Sequence, residues 1–346
     1  MTISFAPTEE SIAGLRIVAE GLLGGSPCRL AGVDGGRNSR VYRLTAPSGV
    51  YAFKTYFRHA SDSRARMEPE FEGLTFLWKN GERDIPRPIA SAREQGCTIY
   101  EWIEGPRIPS SEVTAADIRS TTAFLVRLAA LKSLPGAEAL QPASEACFSA
   151  RALADCLRGR LEPLLARSDH RELSGFLKKD LKPAIESICA SSRERLGTIF
   201  DADLPLAHRT LSPSDFGFHN ALRRPDGTIV FLDFEYFGWD DPVKMICDFL
   251  LHPGMAVSSR QKRLFAASML QEFPEAAARI HAFYPLFGLK WCLILLNEFL
   301  PQHLLRRRFA GLSEGELEIR QSQQLAKARA MLSLVLTNDY RFPYGD

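Results

Sequence analysis

The 346-residue chain predicts an α+β protein of two lobes, a small strand-rich one first and a larger, mostly helical one after it. Three observations carry that expectation. Residues 29–103 hold short β-branched and aromatic runs punctuated by glycine and proline, with one amphipathic helix among them. Residues 113–197 and 259–335 repeat apolar side chains at spacings of three and four. Between these helical tracts lies a hairpin, Ser212 to Trp239, turned at Pro225-Asp226-Gly227. The expected division is residues 1–104 and 105–346.

Composition narrows the function classes. With 45% hydrophobic and 24% charged residues the chain reads as globular, and a net charge of +2 implies no nucleic-acid partner. Seven scattered cysteines, odd in number and without a CxxC pair, fit a reducing cytoplasm better than a disulfide framework or zinc site. The acidic start, MTISFAPTEESIAGL, lacks the pattern of a secretion signal. Ile280 to Leu300 is the most apolar long run, but Pro285 and Lys290 interrupt it, so a core helix is expected and no membrane crossing.

In chain order, a leading helix is expected over 8–24, ending at Gly24-Gly25, followed by strands at Arg29–Val33 and Arg40–Thr45. The link between those strands contains Gly35, Gly36, Asn38 and Ser39, where backbone N–H groups can approach phosphate oxygens; a plain tight hairpin fits that link equally well. Tyr51–Phe57 is the next strand, and its alternation sets Lys54 on the face opposite Phe53 and Thr55. An ammonium in so aromatic a strand must find partners or lie at an exposed edge. A helix beginning near Pro69 and ending at Asn80-Gly81 places Glu70, Leu74 and Leu77 on one face, so Glu70 is the expected partner of Lys54, with Glu72 as the fallback. A proline-rich link then leads to a strand at Thr98–Ile103 and a boundary near Gly105. The helices of 113–197 carry no chemistry in this reading.

In the hairpin, TIVFLDF reads as a buried strand, and pairing Arg224 with Thr228 sets Asn220 opposite Leu232, next to Asp233. An amide oxygen and a carboxylate meeting there suit magnesium, which takes hard oxygen ligands and keeps the rest of its shell for water and phosphate. Asp215, five residues before Asn220, can orient or deprotonate an attacking hydroxyl. Gly238 to Pro242 is expected as a turn, with a helix after it and three more over 259–335.

Asp215, Asn220 and the Asp233-Phe234-Glu235 triplet resemble the DxxxxN and DFG-type signatures of the aminoglycoside phosphotransferase and choline kinase family. The agreement is specific from Ser212 to Pro242 and weaker over residues 35–105. It implies a protein-kinase-like two-lobed fold, ATP and Mg2+ as cofactors, and a small-molecule hydroxyl acceptor. Under it Asp215 is the base, Asn220 and Asp233 hold the metal with a further contact from Glu235, and Lys54 grips the phosphates paired to Glu70. Gly35, Gly36, Asn38 and Ser39 cover the nucleotide, and the backbone of Glu101, Trp102 and Ile103 forms the hinge that holds adenine. One position departs: Pro213 stands where the family usually has His, and neither His208 nor His219 has the spacing to replace it. That departure motivates an alternative, a catalytically impaired pseudokinase that binds nucleotide as a scaffold. Four correctly spaced polar groups weigh against it.

For the acceptor, a sugar or amino alcohol is expected. Tyr236, Phe237 and Trp239 after the triplet are reminiscent of the rings that face a quaternary amine in choline kinases. No dense acidic run suggests an aminoglycoside pocket. Phe283, Trp291, Glu298 and Arg306, Arg307 and Arg308 are candidate pocket residues, with core and solvated-face readings equally open. No Ala-Pro-Glu closes an activation segment, which argues against a protein kinase.

Overall fold

The structure is a computed structural model and describes residues 9–33, 39–56, 65–167, 170–301, 303–304, 313–337 and 341–345. Helix α1 (Glu9–Leu22) is followed by strands β1 (Arg29–Val33), β2 (Ser39–Ala46) and β3 (Gly49–Tyr56), helix α2 (Met67–Lys79), and strands β4 (Pro88–Ala92) and β5 (Cys97–Glu101). All neighbouring pairs are antiparallel in the order β1-β2-β3-β5-β4. Strand β4 falls in the stretch expected as a proline-rich link; Pro88 is tolerated because it opens an edge strand.

The alternation of β3 decides what each face of the sheet does. Phe53 points to one side and is fully buried with Tyr42, Leu44, Ile99 and Ala19 of α1, a burial worth about 2 kcal/mol for the ring. Lys54 points to the other, toward α2, with Val41 and Thr98 opposite it on the flanking strands. Both faces are therefore covered, so a central strand carries a lysine into the interior.

The remainder is mostly helical: α3 (Ala115–Leu131), α4 (Ala150–Leu165), α5 (Arg171–Phe176), a π-helical turn at Leu177–Leu181, and α6 (Lys182–Leu196). Four short strands follow, β6 (Thr210–Ser212), β7 (Ala221–Arg223), β8 (Ile229–Phe231) and β9 (Gly238–Asp240), then α7 (Pro242–Leu251), α8 (Ser259–Glu272), α9 (Pro274–Leu295) and α10 (Glu314–Thr337). The segment expected as a turn at Gly238–Pro242 is instead β9, paired with β6, and Asp241 then caps α7 by accepting from the Val243 N–H at 2.9 Å. Helix α9 runs on through Pro285 and packs against α4, α6, α7, α8 and α10. The segment Pro274–Phe299 is long and apolar enough to cross a membrane, yet 78% of its most apolar window is buried in the protein.

The first helix of this part is also the tie to the hairpin. Thr114 and Asp117 form a capping box at the start of α3, and Asp117 Oδ1 accepts from Arg223 Nη1 at 2.9 Å. Burial raises the Asp117 carboxyl, but hydrogen bonds from Arg223 and Thr114 outweigh it and hold the group below its usual value. A depressed carboxylate adds stability that is present above its unfolded pKa and lost as pH falls through the folded one. Asp117→Ala is therefore expected to cost about 1–2 kcal/mol in urea unfolding at neutral pH. The gap to wild type should narrow as pH falls through the carboxylate range; a gap independent of pH would assign the loss to packing instead.

Candidate active site

Two cavities adjoin, the first beneath the sheet and the second among the helices. The first, about 410 Å³, is lined by Val41, Ala52, Lys54 and Glu70 from the sheet and α2, by the segment Tyr100 to Gly105, and by Asn220, Leu222 and Asp233 from the hairpin. Lys54 Nζ donates to Glu70 Oε2 and to Asp233 Oδ1, each at 2.7 Å. The reason α2 delivers Glu70 is its packing face: Glu70, Leu74 and Leu77 are all buried. Glu72, the fallback, lies on the exposed side and pairs with Arg93. Tyr56 Oη donates to the same Glu70 oxygen at 2.9 Å and meets the Tyr100 hydroxyl at 2.9 Å. Burial alone would push the Lys54 ammonium down; the Asp233 and Glu70 carboxylates override it and hold it well above its ordinary value. Burial raises the Glu70 carboxyl, with Lys54 opposing.

The hairpin register follows the expected ladder. Ala221, Leu222 and Arg223 face Phe231, Val230 and Ile229, the Arg224 N–H bonds Thr228 O at 2.8 Å, and the Leu232 N–H bonds Asn220 O at 2.8 Å. Gly227 takes the left-handed conformation at the turn, φ 89°. Two non-glycine residues of this segment do so as well, Ser214 (φ 67°) and Asp233 (φ 65°), a backbone cost that marks both ends of this loop system. Asn220 Nδ2 donates to the Asp215 carbonyl at 3.0 Å, so its amide oxygen is the atom left to face the cavity beside the Asp233 carboxylate. Those two hard oxygens fit a magnesium ion.

Asp215 lines the second cavity, about 290 Å³, and is held by two imidazoles. His219 Nε2 is 2.9 Å and His252 Nε2 3.5 Å from Asp215 Oδ1, and the two rings stack at 3.9 Å with planes 6° apart. The Gly254 N–H donates to His252 Nδ1 at 3.0 Å, which places the His252 proton on the nitrogen facing Asp215. His219 also lines the first cavity, so the two cavities meet across its bond to Asp215. His219 lacks the spacing to replace the histidine at Pro213, yet the turn at Phe218–Asn220 brings it back onto the Asp215 carboxylate. His252 comes from the end of α7, a proximity that no local spacing encodes.

The other expected site residues divide. Ser39, Glu101, Trp102 and Ile103 line the first cavity, and the Glu101 N–H bonds Arg87 O at 2.8 Å. Gly35, Gly36 and Asn38 lie outside the described residues, as do Arg306, Arg307 and Arg308. Glu235, expected as a metal contact, lines neither cavity; it is buried with Arg66 Nε 3.8 Å away, so its charge is spent on the interior. The aromatic run also differs from expectation. Phe237 and Trp239 are core residues, the latter donating to Ala137 O at 2.9 Å, and only Tyr236 of the three lines the second cavity. Trp291 and Glu298 line it, whereas Phe283 is buried. Lys244, unremarked in the sequence, sits buried between Asp240 Oδ2 (2.7 Å) and Asp248 Oδ2 (3.2 Å) and donates to Ser214 Oγ at 2.7 Å, bracing the loop before Asp215.

The sequence matches the phosphotransferase enzyme family (APH) over residues 29–251. No curated protein matches. Among solved structures, the choline/ethanolamine kinase family protein of Mesorhizobium loti shares the fold at a TM-score of 0.62 with 16% identity, covering 97% of this chain and 98% of its own. Choline kinase LicA from Streptococcus pneumoniae gives 0.61 and 14%, covering 93% and 99%. The ADP-bound aminoglycoside phosphotransferase APH(2'')-Ib gives 0.58 and 17%, covering 92% and 99%.

Proposed function

The chain belongs to the phosphotransferase enzyme family, and from that membership we propose that it moves the γ-phosphate of ATP, with magnesium, to a hydroxyl of a small molecule. The observation that carries this reading is the meeting of Lys54, Glu70 and Asp233 on one cavity that joins, through the His219–Asp215 hydrogen bond, a second cavity suited to an acceptor.

In this reading adenine lies along Glu101 to Ile103, between the apolar side chains of Val41 and Ala52 above and Leu222 below. Lys54 donates to the phosphates. Asn220 and Asp233 hold magnesium, which neutralises charge on the β- and γ-phosphates when bound. Asp215 accepts the proton of the acceptor hydroxyl as its oxygen bonds to the γ-phosphorus and the bond to the bridging oxygen breaks, releasing ADP. His219 and His252 position Asp215 although Pro213 stands where the family usually has His, which counts against the scaffold alternative. We place the lobe boundary near Gly105, a position whose φ of 148° and close approach to Arg223 O, 2.1 Å from an added Cβ, favour glycine.

The test is ADP release measured against a broad panel of hydroxyl acceptors, with magnesium and with a chelator. Release is expected to need both an acceptor and the metal. Nucleotide binding without acceptor-stimulated release would establish the scaffold alternative instead.

A further inference from the structure

Resting on the kinase reading above, we propose that the acceptor carries an anionic group, carboxylate or phosphate, apart from the hydroxyl that reacts. The charges on the second cavity argue for it. Glu145 is shared by two cations, Arg160 and Lys290, the latter 3.4 Å from its carboxylate. Its backbone is held in the left-handed region, φ 61°, to stay between them. Lys290 is 2% exposed, and its ammonium spends one donor on the Glu145 carbonyl at 3.2 Å and one on the carboxylate, leaving a third for a ligand. Arg320 and Glu298 offset one another at 3.1 Å. Lys327 lines the same cavity from the exposed side of α10 and has no carboxylate within ion-pair distance among the described residues. Lys244 is shared by two carboxylates, Asp248 on the cavity and Asp240 behind it. Elsewhere on the wall Arg160, Lys290 and Lys327 outnumber Glu145, the carboxylate that lies among them.

A cationic acceptor finds little to hold it there. Asp215 is held by two imidazoles and is reserved for the hydroxyl. Two rings line this cavity, Tyr236 and Trp291; Trp291 is 9% exposed, donates its N–H to Asp248 at 3.0 Å and meets His252 edge-on. Charge-assisted hydrogen bonds from Lys290 and Lys327 would instead anchor an acid group and swing the hydroxyl toward Asp215.

The experiment uses four acceptors of similar size on the full chain: glycerate, glycerol 3-phosphate, glycerol and choline. One anion is expected to exceed both glycerol and choline in kcat/KM by about tenfold or more, and which anion leads distinguishes a carboxylate site from a phosphate site. Lys327→Glu, at an exposed position, is expected to raise KM for that anion about tenfold and collapse the anion-to-choline ratio; Lys290→Met should do the same, with its unfolding curve as the folding check. Choline turned over at least as well as both anions, with a ratio unmoved by Lys327→Glu, overturns the anionic class and leaves the kinase reading standing. No acceptor-stimulated ADP release across the broad panel overturns that reading and this one together.

Discussion

Asp215→Asn is expected to lower kcat by roughly 10³-fold, within the range of a lost general base, with ATP affinity and unfolding midpoint close to wild type. The isosteric amide keeps an oxygen for the His219 and His252 N–H groups, so the loop should hold its shape. What the amide removes is the ability to take the acceptor proton. A residue that merely held the loop would give a different result, because Asn preserves the hydrogen bonds and only the charge is gone. Single-turnover kinetics at saturating ATP and acceptor would separate the cases, and a kcat within tenfold of wild type would remove Asp215 from the proton transfer.

Much of the fold was legible because local rules and tertiary structure agree. The Pro-Asp-Gly turn set the register of β7 and β8, and register set the neighbourhood of Asn220 and Asp233, since a slip of one residue would reverse every side chain. The three-four spacing in α2 selected Glu70 over Glu72 for the same reason: the residue sharing a face with Leu74 and Leu77 is the one turned inward. What failed was whatever depended on long-range packing. His252 reaches Asp215 from 37 residues away in sequence, and Lys244 finds Asp240 four residues before it, in β9, and Asp248 four residues after, a spacing that looks like a surface ion-pair pattern until burial is known. Rings in DFEYFGW alternate between core and cavity with no periodic signal, because the segment is an irregular loop entering a three-residue strand. Glu235 shows the same limit: its place two residues after Asp233 says nothing of the buried Arg66 at the start of α2, which lies 3.8 Å from its carboxylate.

Lys54→Met is expected to lose activity and about 3 kcal/mol of stability, and the second loss can be undone without the first. Removing one partner of a buried ion pair leaves the other charged and without compensation, which costs more than the pair itself contributes. Glu70, 3% exposed, bears that cost, while Asp233 on the open side can turn to water. Glu70 already has a raised pKa from burial, opposed by Lys54, so without the lysine it rises further. A carboxyl whose folded pKa lies above its unfolded one binds the proton more tightly when folded, so stability increases as pH falls through that window. Lys54→Met should thus be less destabilised near pH 5 than near pH 8. Adding Glu70→Leu replaces the orphaned charge with an apolar side chain of similar volume, and the pair Lys54→Met/Glu70→Leu is expected to recover most of the stability and lose the pH dependence while turnover stays at the floor. Recovery of turnover along with stability in that double variant would make Lys54 a structural ion-pair partner and take it out of phosphate binding.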